Sequence, residues 1–202
     1  MTPPGRPLLR RHLALAGMGL ALAPVRPAQA QLRQYRFDQK LGRLSFTARH
    51  FGVLSSTGQF ERFDAQVMLD PADPSQAEVA VAVETGSIDL AWPGATELLR
   101  SPAYFDSDTH PQARFNGRAT GVAAADRFRI EGELTLKGVT RPMRMEARLL
   151  RRGRDATEGA EIAEFSASGS LNRLEFGMVE DRTTVSDLIR LDVQVRLLVG
   201  PA

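Results

Sequence analysis

The stretch DRFRIEGELTLKGVTRPMRMEARLL, residues 126–150, alternates apolar and polar side chains almost without interruption. A period of two is typical of a β-strand with one face on the core and the other in water. The Gly- and Pro-bearing segment Lys137–Pro142 interrupts the alternation, which predicts two strands joined there as a hairpin. Because a lone hairpin is barely stable, its apolar face must be covered by further strands.

The rest of the chain supplies further strands. The same alternation predicts a strand that ends at His50 and others over Phe60–Leu69, Glu78–Thr85, Gln112–Gly121, Ile162–Leu171 and Leu188–Val199. The segments Gly52–Gly58, Asp70–Pro74 and Asp106–Pro111 are predicted turns, and Ala95–Arg100 a short helix before Pro102. About eight strands with one short helical insertion indicate an all-β antiparallel barrel or sandwich.

Residues 1–30 are typical of a signal peptide. Arg6, Arg10 and Arg11 form a positive region, Leu13–Ala23 a short apolar core, and Ala28–Ala30 an A-x-A cleavage site. The mature domain then spans residues 31–202, and we expect it in the periplasm or secreted, with no stable membrane span. An uncleaved anchor is the rival interpretation, and Arg10-Arg11 leaves twin-arginine export open beside the general route.

Charge and cysteine content exclude several classes of protein. The signal segment holds four of the 26 basic residues and none of the 24 acidic ones, so the mature chain has 22 basic residues and a formal charge of −2. The basic pI belongs to the precursor, and we expect no nucleic-acid partner. The run Arg151–Arg154 is interpreted as a solvated loop. With no cysteine in the chain, stability depends on burial and strand pairing.

Catalytic and metal-binding patterns are sparse. The mature chain has two histidines, and no nucleophile elbow, zinc motif or nucleotide-binding loop is present. His50 falls on the apolar face of its strand, so it binds a ligand head group, carries a proton or is a satisfied buried histidine. We interpret His110, Asp106 and Asp108 as a solvated loop and expect no metal. Asn172, Arg173 and Glu175 are either a polar mouth or a strand-end turn.

Several stretches in order resemble the YceI family of exported lipid-binding proteins. The matching pieces are YRFD (35–38), HFG (50–52), GQF (58–60), SID (87–89), LRSPAYFD (99–106), HP (110–111), GELTLKGVTRP (132–142), NRLEFGM (172–178) and VSD (185–187). Two places depart from the family. Leu41 stands where the family usually has a histidine, and Leu90–Leu98 is more apolar than the family's polar turn, which affects head-group contacts there.

The resemblance implies a lipocalin-like barrel whose channel holds a polyisoprenoid or an isoprenoid quinone and which catalyses no reaction. We expect no other cofactor. On this interpretation the inward phenylalanines, methionines and leucines line the channel, with His50 near the head group. The predicted ligand-binding residues are Phe46, His50, Phe60, Phe63, Phe115, Phe128, Leu134, Leu136, Met143, Met145, Phe165, Phe176 and Met178. On pattern alone, Phe and Met side chains that simply fill a core explain the same series.

Three hypotheses follow. The first is an exported barrel that carries or stores an isoprenoid-type lipid, for which we expect His50→Ala to weaken retention more than His110→Ala. The second is an interaction or stress-response module with a filled core, and a homodimer is left open. The third is an enzyme on a hydrophobic substrate, which requires a carboxylate or hydroxyl near His50 across the cavity.

Overall fold

The computed structural model describes residues 32–37, 39–70, 74–124, 126–155 and 159–199. They contain β1 (Arg33–Phe37), β2 (Arg43–His50), β3 (Leu54–Phe60), β4 (Phe63–Leu69), β5 (Glu78–Glu84), β6 (Ile88–Leu90), α1 (Ala95–Arg100), β7 (Gln112–Ala124), β8 (Arg127–Leu136), β9 (Val139–Arg154), β10 (Glu161–Asn172) and β11 (Leu188–Val199). The predicted signal segment and most of the predicted turn at 70–74 lie outside the described residues. Among the helices of the described part, none is long and apolar enough to cross a membrane.

The strands form one closed antiparallel sheet. Eight of them follow one another in the order β1, β4, β5, β7, β8, β9, β10 and β11, and β11 closes the ring by pairing with β1. The other three extend the ring at one end, where β2 pairs with β11 and β3, and β3 pairs with β6. The predicted all-β barrel with a short helix at Ala95–Arg100 is confirmed.

Eight staves of sheet surround the barrel, and we call each one a wall. Three of these walls each consist of two consecutive strands with a bend between them. One edge of β11 carries both β1 and β2, so these are two halves of one wall. In the same way β3 continues β4, and β6 continues β5. The eleven strands therefore make eight walls, which is why alternation along the sequence predicts about eight strands.

Side chains satisfy the backbone groups that the bends remove from the ladder. The Gln39 amide nitrogen donates to the Glu61 carbonyl at 3.1 Å, and its carbonyl oxygen accepts from the Phe63 N–H at 3.0 Å. The buried Ser87 hydroxyl accepts from the Arg62 N–H at 3.0 Å. Because unpaired buried backbone groups are costly, these two side chains permit bends inside a continuous barrel.

The hairpin that organises the fold has a tighter turn than the sequence predicts. Only Lys137 and Gly138 connect β8 to β9, and both have positive φ, 51° and 74°. Two such residues form the type I′ turn that matches strand twist. Val139–Pro142, predicted as part of the connection, belongs to β9, where Pro142 lies opposite Glu133. That prediction is wrong because Pro142, a residue type common in turns, occupies a strand position here.

Two other predicted loops are strands. β3 begins at Leu54 and not at Phe60, so Ser55–Gln59 pairs with β2. Ser55, Thr57 and Gln59 are exposed, and the Thr57 hydroxyl lies 3.1 Å from that of Thr47. At the other end of the barrel the run Arg151–Arg154 is the last part of β9. It is a paired strand in which Arg151 contacts the Glu164 carboxylate at 3.0 Å.

One end of the barrel is covered by two chain segments, and we call it the capped end. The first segment is residues 101–111, after α1. The second, residues 173–187 between β10 and β11, is called the strap. Phe105 from the first segment, with Phe176 and Met178 from the strap, packs against a cluster that includes Leu136 and Met143. The interior is therefore filled at this end.

Candidate ligand-binding site

A cavity of about 170 Å³ lies inside the barrel. Twenty-three side chains line it, and every one is Ala, Val, Leu, Ile, Met or Phe. An empty apolar cavity of similar size in another protein, about 150 Å³, stays dry and accepts benzene or xenon. The site can therefore offer dispersion contacts and removal from water, but no hydrogen bond or charge.

Seven of the predicted ligand-binding residues line this cavity. They are Phe63, Phe115, Phe128, Leu134, Met143, Met145 and Phe165. They come from β4 and from β7 to β10, whose inward positions alternate with exposed ones. Phe128 and Phe165 face each other with ring centroids 6.3 Å apart.

Six predicted residues lie outside the lining. Phe46 and Phe60 pack on each other, with ring centroids 5.7 Å apart, in a cluster with Ile88. Leu136, Phe176 and Met178 belong to the cluster at the capped end. His50 is half-buried at the end of β2, where it contacts Ser56. The bends and the strap explain this placement. They fill the interior beside β2, β3 and β6, and the cavity lies farther along the barrel, away from the capped end.

Valines and leucines on two strands are lining residues that the sequence interpretation missed. They are Val79, Val81 and Val83 on β5, and Leu191, Val193, Val195 and Leu197 on β11. Their alternation predicts strands, but the predicted ligand contacts are mainly aromatic residues and methionine. A prediction that every inward position of every predicted strand contacts the ligand would include them.

Arg173 organises the strap. Its side chain is 3% exposed, and its guanidinium donates to the main-chain carbonyls of Met178, Glu180, Val185 and Ser186 at 2.6, 2.6, 3.1 and 3.0 Å. Sequence reasoning placed Arg173 in a polar mouth or a strand-end turn. The structure shows a buried cation that satisfies the carbonyls of a long irregular segment.

A second contact joins the two covering segments. The Tyr104 hydroxyl donates to the carboxylate of Asp181 in the strap. Burial, and then this hydrogen bond, raises the pKa of Tyr104 to about 12. The phenol therefore stays protonated to more alkaline pH than an exposed tyrosine, and it keeps residues 101–111 attached to the strap there.

Neither histidine lies in the cavity. His50 Nε2 is 2.5 Å from the Ser56 hydroxyl on the neighbouring strand. His110 Nε2 is 4.0 Å from the Asp106 carboxylate, within the turn that follows α1. Across the described part of the chain, no group of three His, Cys, Asp or Glu side chains is arranged to hold a metal.

The comparisons with known proteins agree with this architecture. Residues 35–197 match the YceI-like domain family. A UPF0312 protein of Pectobacterium carotovorum is 31% identical over 183 residues, which cover 90% of each chain. Protein YceI of Salmonella arizonae is 30% identical over 183 residues, which cover 90% of this chain and 95% of that protein.

Two solved structures share the fold at lower sequence identity. Burkholderia cenocepacia BcnA has a TM-score of 0.71 at 22% identity, over 79% of this chain and 98% of that one. A polyisoprenoid-binding domain from Saccharophagus degradans has a TM-score of 0.60 at 12% identity, over 84% of this chain and all of that one. With the family match over most of the described barrel, the chain belongs to the YceI family.

Proposed function

We propose that this protein is an exported binding protein that holds an isoprenoid-type lipid, a polyisoprenoid or an isoprenoid quinone, for carriage or storage. The observation that carries the proposal is the cavity, whose lining is apolar throughout. Such a lining selects a hydrocarbon chain and rejects polar solutes, because a buried polar group without a partner is strongly unfavourable.

Burial of the chain supplies the affinity. Each CH₂ group withdrawn from water contributes about 0.8 kcal/mol, so a few isoprene units are enough for retention. The cavity as it stands accommodates only a short stretch of chain. A longer one requires the interior to widen, and Met143 and Met145 in the lining, with Met178 in the strap, are the side chains best suited to repack.

Two further observations support the ligand class and the export that we propose. The Saccharophagus degradans domain, which shares the fold, is described as polyisoprenoid-binding. Residues 1–30 carry the features of a signal peptide. We propose no catalytic role, because none of the described residues that line the cavity has a titratable side chain.

Lipid extraction tests the proposal. Protein purified from its own host without detergent is extracted with organic solvent, and the extract is analysed by mass spectrometry. We expect an isoprenoid lipid at a fixed molar ratio to protein. A protein that remains ligand-free and takes up no polyprenol or quinone during reconstitution contradicts the proposal.

A further inference from the structure

The cavity extends to the end of the barrel that lies opposite the capped end. We call this the far end, and it is formed by the first residues of β1 and β10 and the last residues of β4, β9 and β11. The lining reaches Leu69, the last residue of β4, and Leu197, two residues before the end of β11. At the capped end the interior is filled, and Arg173 holds the strap in place. A lipid therefore reaches the cavity with less repacking through the far end.

Tyr35 closes the apolar interior at the far end. Its side chain is 4% exposed and packs against Leu69, Ala163 and Leu197. Unlike the hydroxyl of Tyr104, the Tyr35 hydroxyl forms no hydrogen bond with another described residue. Burial raises the pKa of Tyr35, so the phenol stays protonated. A buried hydroxyl donor is therefore available to a ligand, and it gains a partner when the ligand accepts its hydrogen bond.

A β-bulge directs Arg152 to the same place. The register of β9 against β10 shifts after Leu149, and Leu150 is the extra residue. Arg152 therefore lies opposite Ala163, which packs in the same cluster as Tyr35. Bulges commonly redirect a side chain in this way. After burial, the charge of Arg152 has the largest effect on the pKa of Tyr35, which it lowers, so the guanidinium and the hydroxyl are neighbours.

Charges of both signs lie around the Tyr35 hydroxyl. After burial, the residues that influence the pKa of Tyr35 are Arg152, Arg33, Glu161 and Asp70. Arg154 lies opposite Glu161 at the end of β9. Three guanidinium groups against two carboxylates leave little net charge, so charge alone does not select a head group. Hydrogen bonding does, because a protonated phenol and a guanidinium both donate, and a guanidinium cannot accept.

Arginines on the outer face of the far end are engaged in ion pairs. Arg118 contacts Glu78 at 3.4 Å, and Arg151 contacts Glu164 at 3.0 Å. Arg151 directly precedes Arg152, but strand alternation places the two side chains on opposite faces of the sheet. The adjacent arginines are therefore a matched pair, with one at the end of the cavity and the other on the outer wall.

We propose that the far end is the mouth of the cavity, and that the Tyr35 hydroxyl and the Arg152 guanidinium bind an acceptor oxygen of the lipid head group. The hydrocarbon chain runs from there through the cavity toward the capped end. A quinone carbonyl and a polyprenyl phosphate both supply such an oxygen. The inference rests on the proposed lipid-binding function and adds the direction of the ligand. It moves the head group away from His50, which lies at the capped end in a β-bridge with Val185 of the strap.

Three lipids with the same four-isoprene chain test the mouth. One carries a benzoquinone head, one carries a phosphate, and one is the hydrocarbon without a head. We would strip the protein, in the form in which it accumulates in its host, of its own lipid. The dissociation constant of each probe is then measured by equilibrium partition between the protein and a cyclodextrin carrier. The hydrocarbon shows whether the cavity binds a chain, so it tests the proposed function separately from the mouth.

Conservative variants identify the residues of the mouth. Tyr35→Phe removes one hydrogen bond and should weaken binding of the quinone lipid about five-fold. Arg152→Gln removes a charged donor and should weaken binding of the phosphate lipid by about ten-fold or more. Both variants should bind the hydrocarbon as the wild type does, which also shows that they are folded. Arg151→Gln is the control and should leave all three dissociation constants unchanged. The lipid that loses more affinity across the two variants identifies the source of the acceptor oxygen.

Tryptophan fluorescence, which a quinone quenches at short range, locates the head group. Trp92 is the only tryptophan and lies between β6 and α1, at the capped end. Leu150→Trp with Trp92→Phe moves the reporter to the bulge beside Arg152, where Leu150 is 51% exposed. β10 alone has 12 residues and spans roughly 36 Å, so the two positions report on separate ends of the barrel. We expect the quinone lipid to quench the tryptophan of Leu150→Trp and not Trp92.

Two results would overturn the mouth while leaving lipid binding intact. The first is that Tyr35→Phe and Arg152→Gln bind all three lipids as tightly as Arg151→Gln does. The second is that the quinone lipid quenches Trp92 and not the tryptophan at the bulge, which places the head group at the capped end. Wild-type protein that binds none of the three lipids contradicts the proposed function, and the mouth with it.

Discussion

The buried guanidinium of Arg173 donates to the main-chain carbonyl of Met178 at 2.6 Å. The cation at the end of β10 thereby fixes the position of a side chain that fills the capped end. The same guanidinium reaches the carbonyls of Glu180, Val185 and Ser186. The strap is irregular backbone, and this one side chain satisfies four of its carbonyls.

Arg173→Met should therefore destabilise the protein strongly. The substitution leaves four carbonyl groups without their donor, and we expect the free energy of unfolding to fall by about 3 kcal/mol. Urea denaturation measures the change. Arg182→Met, an exposed position in the same strap, is the control and should stay within about 0.5 kcal/mol of the wild type. Equal stability of the two variants would show that the Arg173 hydrogen bonds do not hold the strap.

Gly132 in β8 should tolerate no side chain. A Cβ atom there would lie 2.2 Å from the Asn116 carbonyl oxygen on β7, so backbone must shift. We expect Gly132→Ala to lower the free energy of unfolding by about 1–3 kcal/mol. At Gly153 a Cβ atom meets nothing within 4 Å, and Gly153→Ala should be close to neutral. If both variants unfold at the same urea concentration, the close approach of β7 and β8 is not present.

The two tyrosines should ionise late. Burial raises the pKa of Tyr35, and burial with the Asp181 hydrogen bond raises the pKa of Tyr104 to about 12. A phenol whose pKa is raised by folding stabilises the fold below its unfolded value of about 10, and that contribution is lost as the pH rises through about 12.

Absorbance at the tyrosinate band, followed against pH, measures this ionisation. Because the chain has only these two tyrosines, little tyrosinate should form at pH 10 in the native protein, whereas half should form in urea. Tyr104→Phe removes the later of the two steps. A native titration that coincides with the one in urea would show that neither phenol is buried.

The amino terminus gives a separate prediction about export. If residues 1–30 are a signal peptide, the accumulated protein starts at Gln31, and its mass is that of residues 31–202. Intact-mass analysis of protein released by osmotic shock tests this. Protein that retains Met1 would contradict cleavage, and protein that is found only in the cytoplasmic fraction would contradict export.

Much of the fold could be predicted because it depends on a period of two. Alternation identified the strand over Leu188–Val199 with its observed ends, and most of the hairpin at 126–150. It failed where residue type outweighed periodicity. Residue type predicts a turn at Pro142, a turn at Ser55–Thr57 and a solvated loop at Arg151–Arg154, yet all three segments pair with neighbouring strands.

The site was predicted in part for a physical reason. Alternation shows which side chains point inward, but not how far along the barrel the interior stays open. Phe46, Phe60, Phe176 and Met178 point inward and fill the end that the bends and the strap close. The role of Arg173 depends on carbonyls up to 13 residues away, in an irregular segment that no periodic pattern describes.

The central claim is that the cavity holds a lipid chain, and occupancy of the cavity by a side chain tests it most directly. Val81 lines the cavity on β5, and its neighbour Ala82 points to the outside, opposite Asp64 and Arg114. Val81→Phe and Ala82→Phe each add a ring to the same strand. The measurement is the molar ratio of extracted isoprenoid lipid to folded protein for the two variants. We predict that Ala82→Phe retains the wild-type ratio and that Val81→Phe loses most of its lipid while remaining folded. Equal lipid in both variants would contradict binding in this cavity.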